Sequence, residues 1–326
     1  MKILIIRFSS IGDIVLTSPV IRCLKKQMPP GTVLHYLTKP GFAMLVNENP
    51  YLDKILLLKP KLRDTIAEIK KEKYDRIIDL HNNLRTRMIK LRTGIPAYSF
   101  DKLNFLKYLI VKFKINRLPK VHIVDRYMKT IAPLGVANDD EGLDYFNASQ
   151  ATALYREFNF PENLNFITMA IGGQHASKKM PENKLLEIIS ASNLLIVVLG
   201  GKEDVRIANI LKANHPQKVI DLTGKLTLHQ SAGFVALSKA LITHDTGMMH
   251  IAAALKKPVL AVWGNTIPEF GMYPYYGKHE VFYKNFEVIL GCRPCSKLGY
   301  EKCPLGHFNC MNLQDTGAIA ETANMI

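Results

Sequence analysis

Five short stretches of the 326-residue chain gather residue types able to bind charge or move a proton. The first, Ser9-Ser10-Ile11-Gly12-Asp13, follows the apolar run at 2–8. Small residues and Gly12 let backbone amides approach a ligand there, and a following helix start favours an anion. Neither GxxxxGK(S/T) nor GxGxxG is present, so this is no ordinary phosphate loop. Asp13 either caps the next helix, which spacing alone favours, or serves, ionised, as a general base. The second stretch runs from Gly172 and Gly173 through Ser177, Lys178 and Lys179 to Pro181, between a strand and a helix. Glycines, a hydroxyl and two ammonium groups before a helix suit a diphosphate, though a flexible basic loop has the same composition. In the third, Gly200 and Gly201 precede Glu203 and Asp204; such acids hydrogen-bond ribose hydroxyls or suit a helix start, and capping accounts for at least one. The fourth is His244-Asp245-Thr246-Gly247-Met248-Met249-His250, with a carboxylate, a hydroxyl and backbone amides at one junction and His250 on the next turn. His244 and His250 lack a usual zinc spacing. Trp263-Gly264-Asn265-Thr266 ends the next strand.

A cysteine group stands apart from these loops: Cys292, Cys295, Cys303 and Cys310, opening with CxxC. Four thiolates in a reducing compartment fit a structural zinc. Paired disulfides and free reduced thiols are the alternatives, and nothing places the group in catalysis. Cys23 sits in an apolar stretch and reads as core.

These loops require elements to hold them. Apolar runs at 2–8, 33–37, 54–58 and 76–80 read as buried parallel strands, with helical patterns at 19–27, 42–47, 62–73 and 83–92. Ser18 can cap the first helix, with Pro19 at its first position. The alternation restarts, with strands at 165–171, 194–200, 218–222, 239–244 and 258–264 and helices at 181–190, 203–214, 227–237 and 248–255. Gln314–Ile326 reads as a last helix. Repeated strand–helix–strand units predict α/β architecture with parallel sheets covered on both faces. The weakly patterned stretch 137–162 separates two such sets, giving two doubly wound domains, 1–155 and 156–326. Ligands in such sheets bind beyond the carboxyl ends of the strands, where all five loops fall.

Composition limits the function classes. Apolar residues make up 48% of the chain, enough for ordinary cores. No apolar run reaches about 18 residues, so no transmembrane helix is expected. MKILIIRFSS is too short and turns polar too early for a signal peptide, which predicts a cytoplasmic protein. The formal net charge of +15 favours an anionic partner, and 60–130 is the richest basic stretch. A basic nucleic-acid-binding protein is the alternative of a different class; the sequence shows no helix-turn-helix, RRM or zinc-finger helix to support it. The missing GxGxxG argues against a dehydrogenase.

In order and spacing the fragments resemble the bacterial lipopolysaccharide heptosyltransferases of glycosyltransferase family nine over nearly the whole chain. The resemblance rests on KILIIRFSSIGDIVLTSPVIRCLKK, YDRIIDLHNNLRT, SKKMP, LGGKED, the long stretch DLTGKLTLHQ to AVWGNT, and the tail ending HFNCM. It implies a GT-B fold, two Rossmann-like domains facing a cleft, with the Cys-rich loop at 292–310 and a C-terminal helix returning to the first domain. It also implies metal-independent, inverting transfer of heptose from ADP-heptose to the lipopolysaccharide inner core, with no cofactor for catalysis. By position, Asp13 resembles the catalytic base and Lys178 the donor-phosphate ligand. Asp245, Thr246 and Gly247 resemble the residues around diphosphate and sugar, with His250 close by and Gly172, Gly173 and Ser177 beside them. Glu203 or Asp204 would hold the ribose, and Leu226 would pack on adenine. Ser10, Gly12 and the segment after RIIDL (His81, Asn82, Asn83, Arg85 and Arg87) are the acceptor-side candidates. The implied partners are an ADP-sugar, a phosphorylated lipopolysaccharide-core acceptor and the anionic inner-membrane surface, to which the protein would be peripheral; no nucleic acid is expected. The alternative within enzymes is the same fold with another nucleotide sugar or acceptor.

Overall fold

Strands that are apolar on both faces demand cover on both faces, and the chain supplies it twice. The structure, a computed structural model, describes residues 1–162 and 164–326. In chain order its elements begin β1 (Lys2–Ile6), α1 (Ile11–Val15), α2 (Ser18–Gln27), β2 (Val33–Thr38), β3 (Lys54–Leu57), α3 (Leu62–Glu72), β4 (Arg76–Asp79), α4 (Leu84–Thr93), β5 (Ala97–Ser99), α5 (Asn104–Phe113), α6 (Ile123–Ile131) and α7 (Ala151–Glu157). They continue β6 (Phe166–Ala170), α8 (Glu182–Ala191), β7 (Leu195–Leu199), α9 (Val205–Asn214), β8 (Val219–Asp221), α10 (Leu228–Leu237), β9 (Leu241–His244), α11 (Gly247–Ala254), β10 (Val259–Trp263), β11 (Tyr283–Glu287), α12 (Asn309–Asn312) and α13 (Thr316–Asn324).

Two compact units result. The first comprises 1–104, 121–147 and 275–279; the second comprises 105–120, 148–274 and 280–326. The sequence suggests one boundary, at 155/156, whereas the chain divides by segments: 105–120 clusters with the second unit and 275–279 with the first.

The first unit holds a parallel sheet in the order β3-β2-β1-β4-β5. The order reverses between β1 and β4, whose register pairs Ile3 with Arg76 and Ile6 with Asp79. Leu4, Ile6, Leu37, Leu56 and Ile77 meet Ile66, Ile69 and Ile89 of α3 and α4 in one core cluster. Thr17 rather than Ser18 is the N-cap residue of α2; the Ser18 hydroxyl donates to Val15 O at 2.7 Å and accepts from Asp144 N. Arg22 of α2 is buried, and its guanidinium is held by both Asp139 oxygens at 2.7 and 2.8 Å, by Asp144 and by Gly142 O. The predicted helix at 42–47 is a 3-10 turn, Pro40–Leu45.

The second unit holds a parallel sheet in the order β11-β10-β9-β6-β7-β8. Alternate residues serve opposite cores, as the two-residue period of a strand requires. Ile167, Met169, Ile196, Val198 and Ile242 pack with α8, α9 and α13; Phe166, Ala170, Val197, Leu241 and Trp263 pack with α10 and α11. The resemblance implies a last helix returning to the first domain. Here α13 buries Ile319, Ala320 and Ala323 against Ile188 and Ile189 of α8, within the second unit. An apolar face that completes the local core has no reason to leave it.

Candidate active site

Each unit places its candidate residues beyond the carboxyl ends of the strands where its strand order reverses. In the first unit these are the loops after β1 and β4. Asp13, on α1, accepts from the Ser10 hydroxyl at 2.9 Å and from Ser10 N at 3.3 Å. The capping use that spacing favoured is therefore realised, and a second partner adds to it. Arg7 Nη2 lies 2.7 Å from Asp13 Oδ1. Burial pushes the Asp13 carboxyl up, but the Arg7 charge and the Ser10 hydrogen bonds outweigh it and hold the group below its ordinary value. The carboxylate keeps one fifth of its surface open, so it is ionised and reachable.

Arg7 is itself fixed. Its Nε donates to Ser9 O, and its Nη1 donates to Leu80 O and to the Tyr127 hydroxyl. Sequence reasoning missed it; the available signal was a guanidinium directly after an apolar strand that has no room for one.

The loop after β4 is organised by Asp79, which is fully buried. Its Oδ1 accepts from His81 N and Asn82 N, and Lys90 Nζ lies 2.8 Å from Oδ2. Asn82, at φ 43°, donates to Phe100 O, and Asn83 caps α4 by accepting from Thr86 N. Both asparagine side chains thus hold the loop. His81 packs its ring 4.8 Å from that of Phe8. Burial, then the positive charges of Arg7 and Lys102, push its pKa down to about 4, leaving a neutral imidazole. Arg85 and Arg87 are exposed.

In the second unit the loops after β6 and β9 leave neighbouring parallel strands, paired from Thr168–Leu241 to Ala170–Thr243. They meet: Lys178 Nζ lies 2.6 Å from Asp245 Oδ2, and the Thr266 hydroxyl donates to the same oxygen at 2.7 Å. Met180 N donates to His244 Nε2 at 2.9 Å, tying the two loops again. Burial holds His244 neutral, its pKa pushed down to about 4. Thr246 is the N-cap residue of α11, Gly247 opens that helix, and His250 is buried on it.

The two acids of the third loop separate. Asp204 is 1% exposed; its carboxylate takes Lys179 Nζ at 2.7 Å and Gly201 N at 3.0 Å. A Cβ on Gly172 would stand 2.7 Å from Asp204 Oδ2, and one on Gly173 would stand 3.3 Å from Thr246. The glycines therefore let three loops close on one another. Glu203 remains exposed. Ser177 is buried, its hydroxyl donating to Asn265 Oδ1 and accepting from Tyr300 N, so it anchors the 296–300 loop. Leu226 is half-buried against the cluster around Phe234.

Among the described residues no three His, Cys, Asp or Glu groups are placed to hold a metal ion, although the thiols of Cys292, Cys295 and Cys303 lie close enough to act electrostatically on Cys310. Cys295 Sγ donates to Cys292 O, and Cys310 lies in the core with Met311. Burial first, then the neighbouring thiols, push the Cys310 thiol up to about 11. This arrangement neither supports nor excludes the expected structural zinc.

Two doubly wound parallel sheets, each with polar loops at its reversal point, define an α/β architecture that binds ligands beyond its strand ends. The model of glycosyltransferase family 9 (heptosyltransferase) matches residues 62–300, and the chain belongs to that family. Lipooligosaccharide heptosyltransferase 2 of Haemophilus ducreyi is 27% identical over 310 residues, covering 83% of this chain and 85% of its own. Among solved structures, ADP-heptose LPS heptosyltransferase II of Escherichia coli superposes with a TM-score of 0.70 at 20% identity, covering 99% of both chains. The E. coli heptosyltransferase WaaC with ADP gives 0.66 at 20% identity, covering 91% of this chain and 96% of its own. The fold is GT-B, and the protein is a glycosyltransferase.

Proposed function

We propose that this enzyme transfers heptose from ADP-heptose to the lipopolysaccharide inner core, inverting the anomeric centre without a metal ion. The observation that carries this reading is the meeting of the Lys178 and Asp245 loops on neighbouring strands β6 and β9. They present an ammonium group, hydroxyls and backbone amides together, which is the donor set for a diphosphate. Lys178 takes the donor phosphates, with Gly172 and Gly173 letting the neighbouring loops close around that site. Asp245, Thr246 and Gly247 hold the diphosphate and sugar, with His250 behind. Asp204 is occupied by Lys179 and Gly201, so Glu203 is the acid we assign to the ribose, with Leu226 against adenine.

On the acceptor side, Asp13 removes the proton of the attacking hydroxyl. The freed oxygen forms the new bond to the anomeric carbon as the bond to the diphosphate breaks, and ADP leaves with its charge met by Lys178. One displacement inverts the centre. Ser10, Gly12 and His81 line the approach to Asp13, and Arg85 and Arg87 offer guanidinium groups to acceptor phosphates. Such an acceptor lies at an anionic cytoplasmic membrane surface, so we place the enzyme there as a peripheral protein.

The test is Asp13→Asn. Turnover with ADP-heptose and a heptose-deficient acceptor is expected to fall about 10²–10⁴-fold, with ADP affinity by calorimetry unchanged. Turnover retained within about tenfold would remove Asp13 as the base.

A further inference from the structure

The helix α5 and the segment after it carry apolar side chains that the core does not use. The inner face of α5 is satisfied: Ile110 is buried with Ile267 and Phe270, and Lys107 Nζ lies 5.4 Å from the Phe270 ring centroid. Lys114 Nζ fixes the end of the helix by donating to Cys292 O and Pro294 O at 2.8 Å each. The outer face is different. Phe105 is 70% exposed, Phe113 55% and Tyr108 49%, with Ile115 exposed beyond them. Lys112, Arg117 and Lys120 are exposed in the same segment, and residues 102–124 contain six Lys or Arg and no Asp or Glu.

We infer that the segment 105–120 is a membrane-docking element that lays its aromatic side chains into the interface of an anionic bilayer. Charge complementarity names the occupant. An acid-free run of cations with exposed aromatic and aliphatic groups matches a negatively charged headgroup layer over an apolar interior. Phenyl and phenol rings sit favourably at that boundary. A nucleic acid fits less well. The Tyr108 and Phe113 rings meet edge to face at 81°, which is not a platform for successive bases, and Ile115 offers nothing to stack on. The same composition recurs independently in the first unit, where α4 exposes Leu84, Met88 and Leu91 among Arg85, Arg87 and Arg92.

This inference rests on the reading of the enzyme as one that works on a lipid-borne acceptor, and its test is separable from that reading. The full chain is mixed with vesicles of phosphatidylcholine alone, or with about one-third phosphatidylglycerol, and bound protein is measured by flotation. Binding to the anionic vesicles only is expected. Replacing Phe105, Tyr108 and Phe113 together by Ser should weaken it about tenfold or more, with the thermal midpoint unchanged because all three are exposed. Lys112→Gln with Arg117→Gln should weaken binding at low salt and flatten its salt dependence, the difference from the parent closing as salt rises. No binding of the unaltered chain to anionic vesicles overturns the inference. So does a Ser variant that binds as well as the parent, which would mean headgroup attraction alone. Tighter association with a single-stranded oligonucleotide than with vesicles, lost in the same Ser variant, also overturns it. Transfer to a delipidated, water-soluble acceptor is measured alongside. It should be equal for the parent and the Ser variant, and its loss in both would count against the enzyme reading rather than the docking element.

Discussion

At the scale of single residues the centre of interest is the pair Arg7–Asp13. A carboxylate this enclosed would drift towards its neutral form without a cation 2.7 Å away. Arg7 is thus a positioning residue that keeps Asp13 charged. The sign follows: a carboxyl with a depressed pKa, here the proposed base, stays ionised until the pH falls below the ordinary Asp value of 3.8. The parent enzyme should therefore show no loss of kcat/KM from this group above about pH 5. In Arg7→Gln only the Ser10 hydrogen bonds oppose burial, and the acid limb should move up by about one pH unit or more. A purely structural role would lower the rate without moving the limb. On the donor side, Lys178→Ala should raise the ADP dissociation constant about tenfold or more, read by titration, and lower the melting temperature by leaving Asp245 without its cation. Asp13 and Lys178 could be picked out as candidates because each follows shortly after an apolar run. Arg7, Thr266 and the Lys179–Asp204 pair could not, because their partners lie on other strands and no local spacing announces a contact across a sheet.

At the scale of elements, the central strands could be read because both of their faces are buried and the apolar run is continuous. The edge strands β5 and β11 escaped. Tyr283–Glu287 buries only Phe286, so its composition is that of a loop. The helix α6 escaped for another reason: it lies in the basic stretch, where charge obscures the seven buried positions of Ile123–Ile131. Its neighbour α2 is tied down by Arg22. The Arg22 hydrogen bonds hold the Asp139 carboxyl well below the usual range. A depressed acid stabilises the fold above its unfolded value and loses that contribution as the pH falls. Asp139→Asn should therefore cost about 2 kcal/mol at neutral pH, with Arg22 still held by Asp144. The difference from the parent should narrow below about pH 4 in urea titrations run across the acid range.

At the scale of the whole molecule, the two sheets divide the proposed labour, with acceptor chemistry on the first and nucleotide on the second. A ligand that binds one folded unit stabilises that unit by mass action, about 2.7 kcal/mol at one hundred times its dissociation constant. ADP should accordingly slow hydrogen exchange in 171–179, 200–204 and 245–250 and leave β1 to β4 unchanged, with UDP and GDP weaker. Protection appearing first around Asp13 would reverse the division. The doubly wound halves were legible in the sequence, since strand and helix periods alternate through both. The exchange of segments between units was not, because a short return such as 275–279 has no periodicity to betray it.

That return has a consequence for how the protein is made. Gly277 sits at φ 62° where a Cβ would come within 2.0 Å of Asp140 O, and Lys278 pairs with Glu141. The opening half therefore lacks its closing piece until the ribosome has passed residue 279, and the other half lacks α13 until it has passed residue 324. A nascent chain halted at residue 250 owns neither finished lobe, so each can lock only after the segment that closes it has been made.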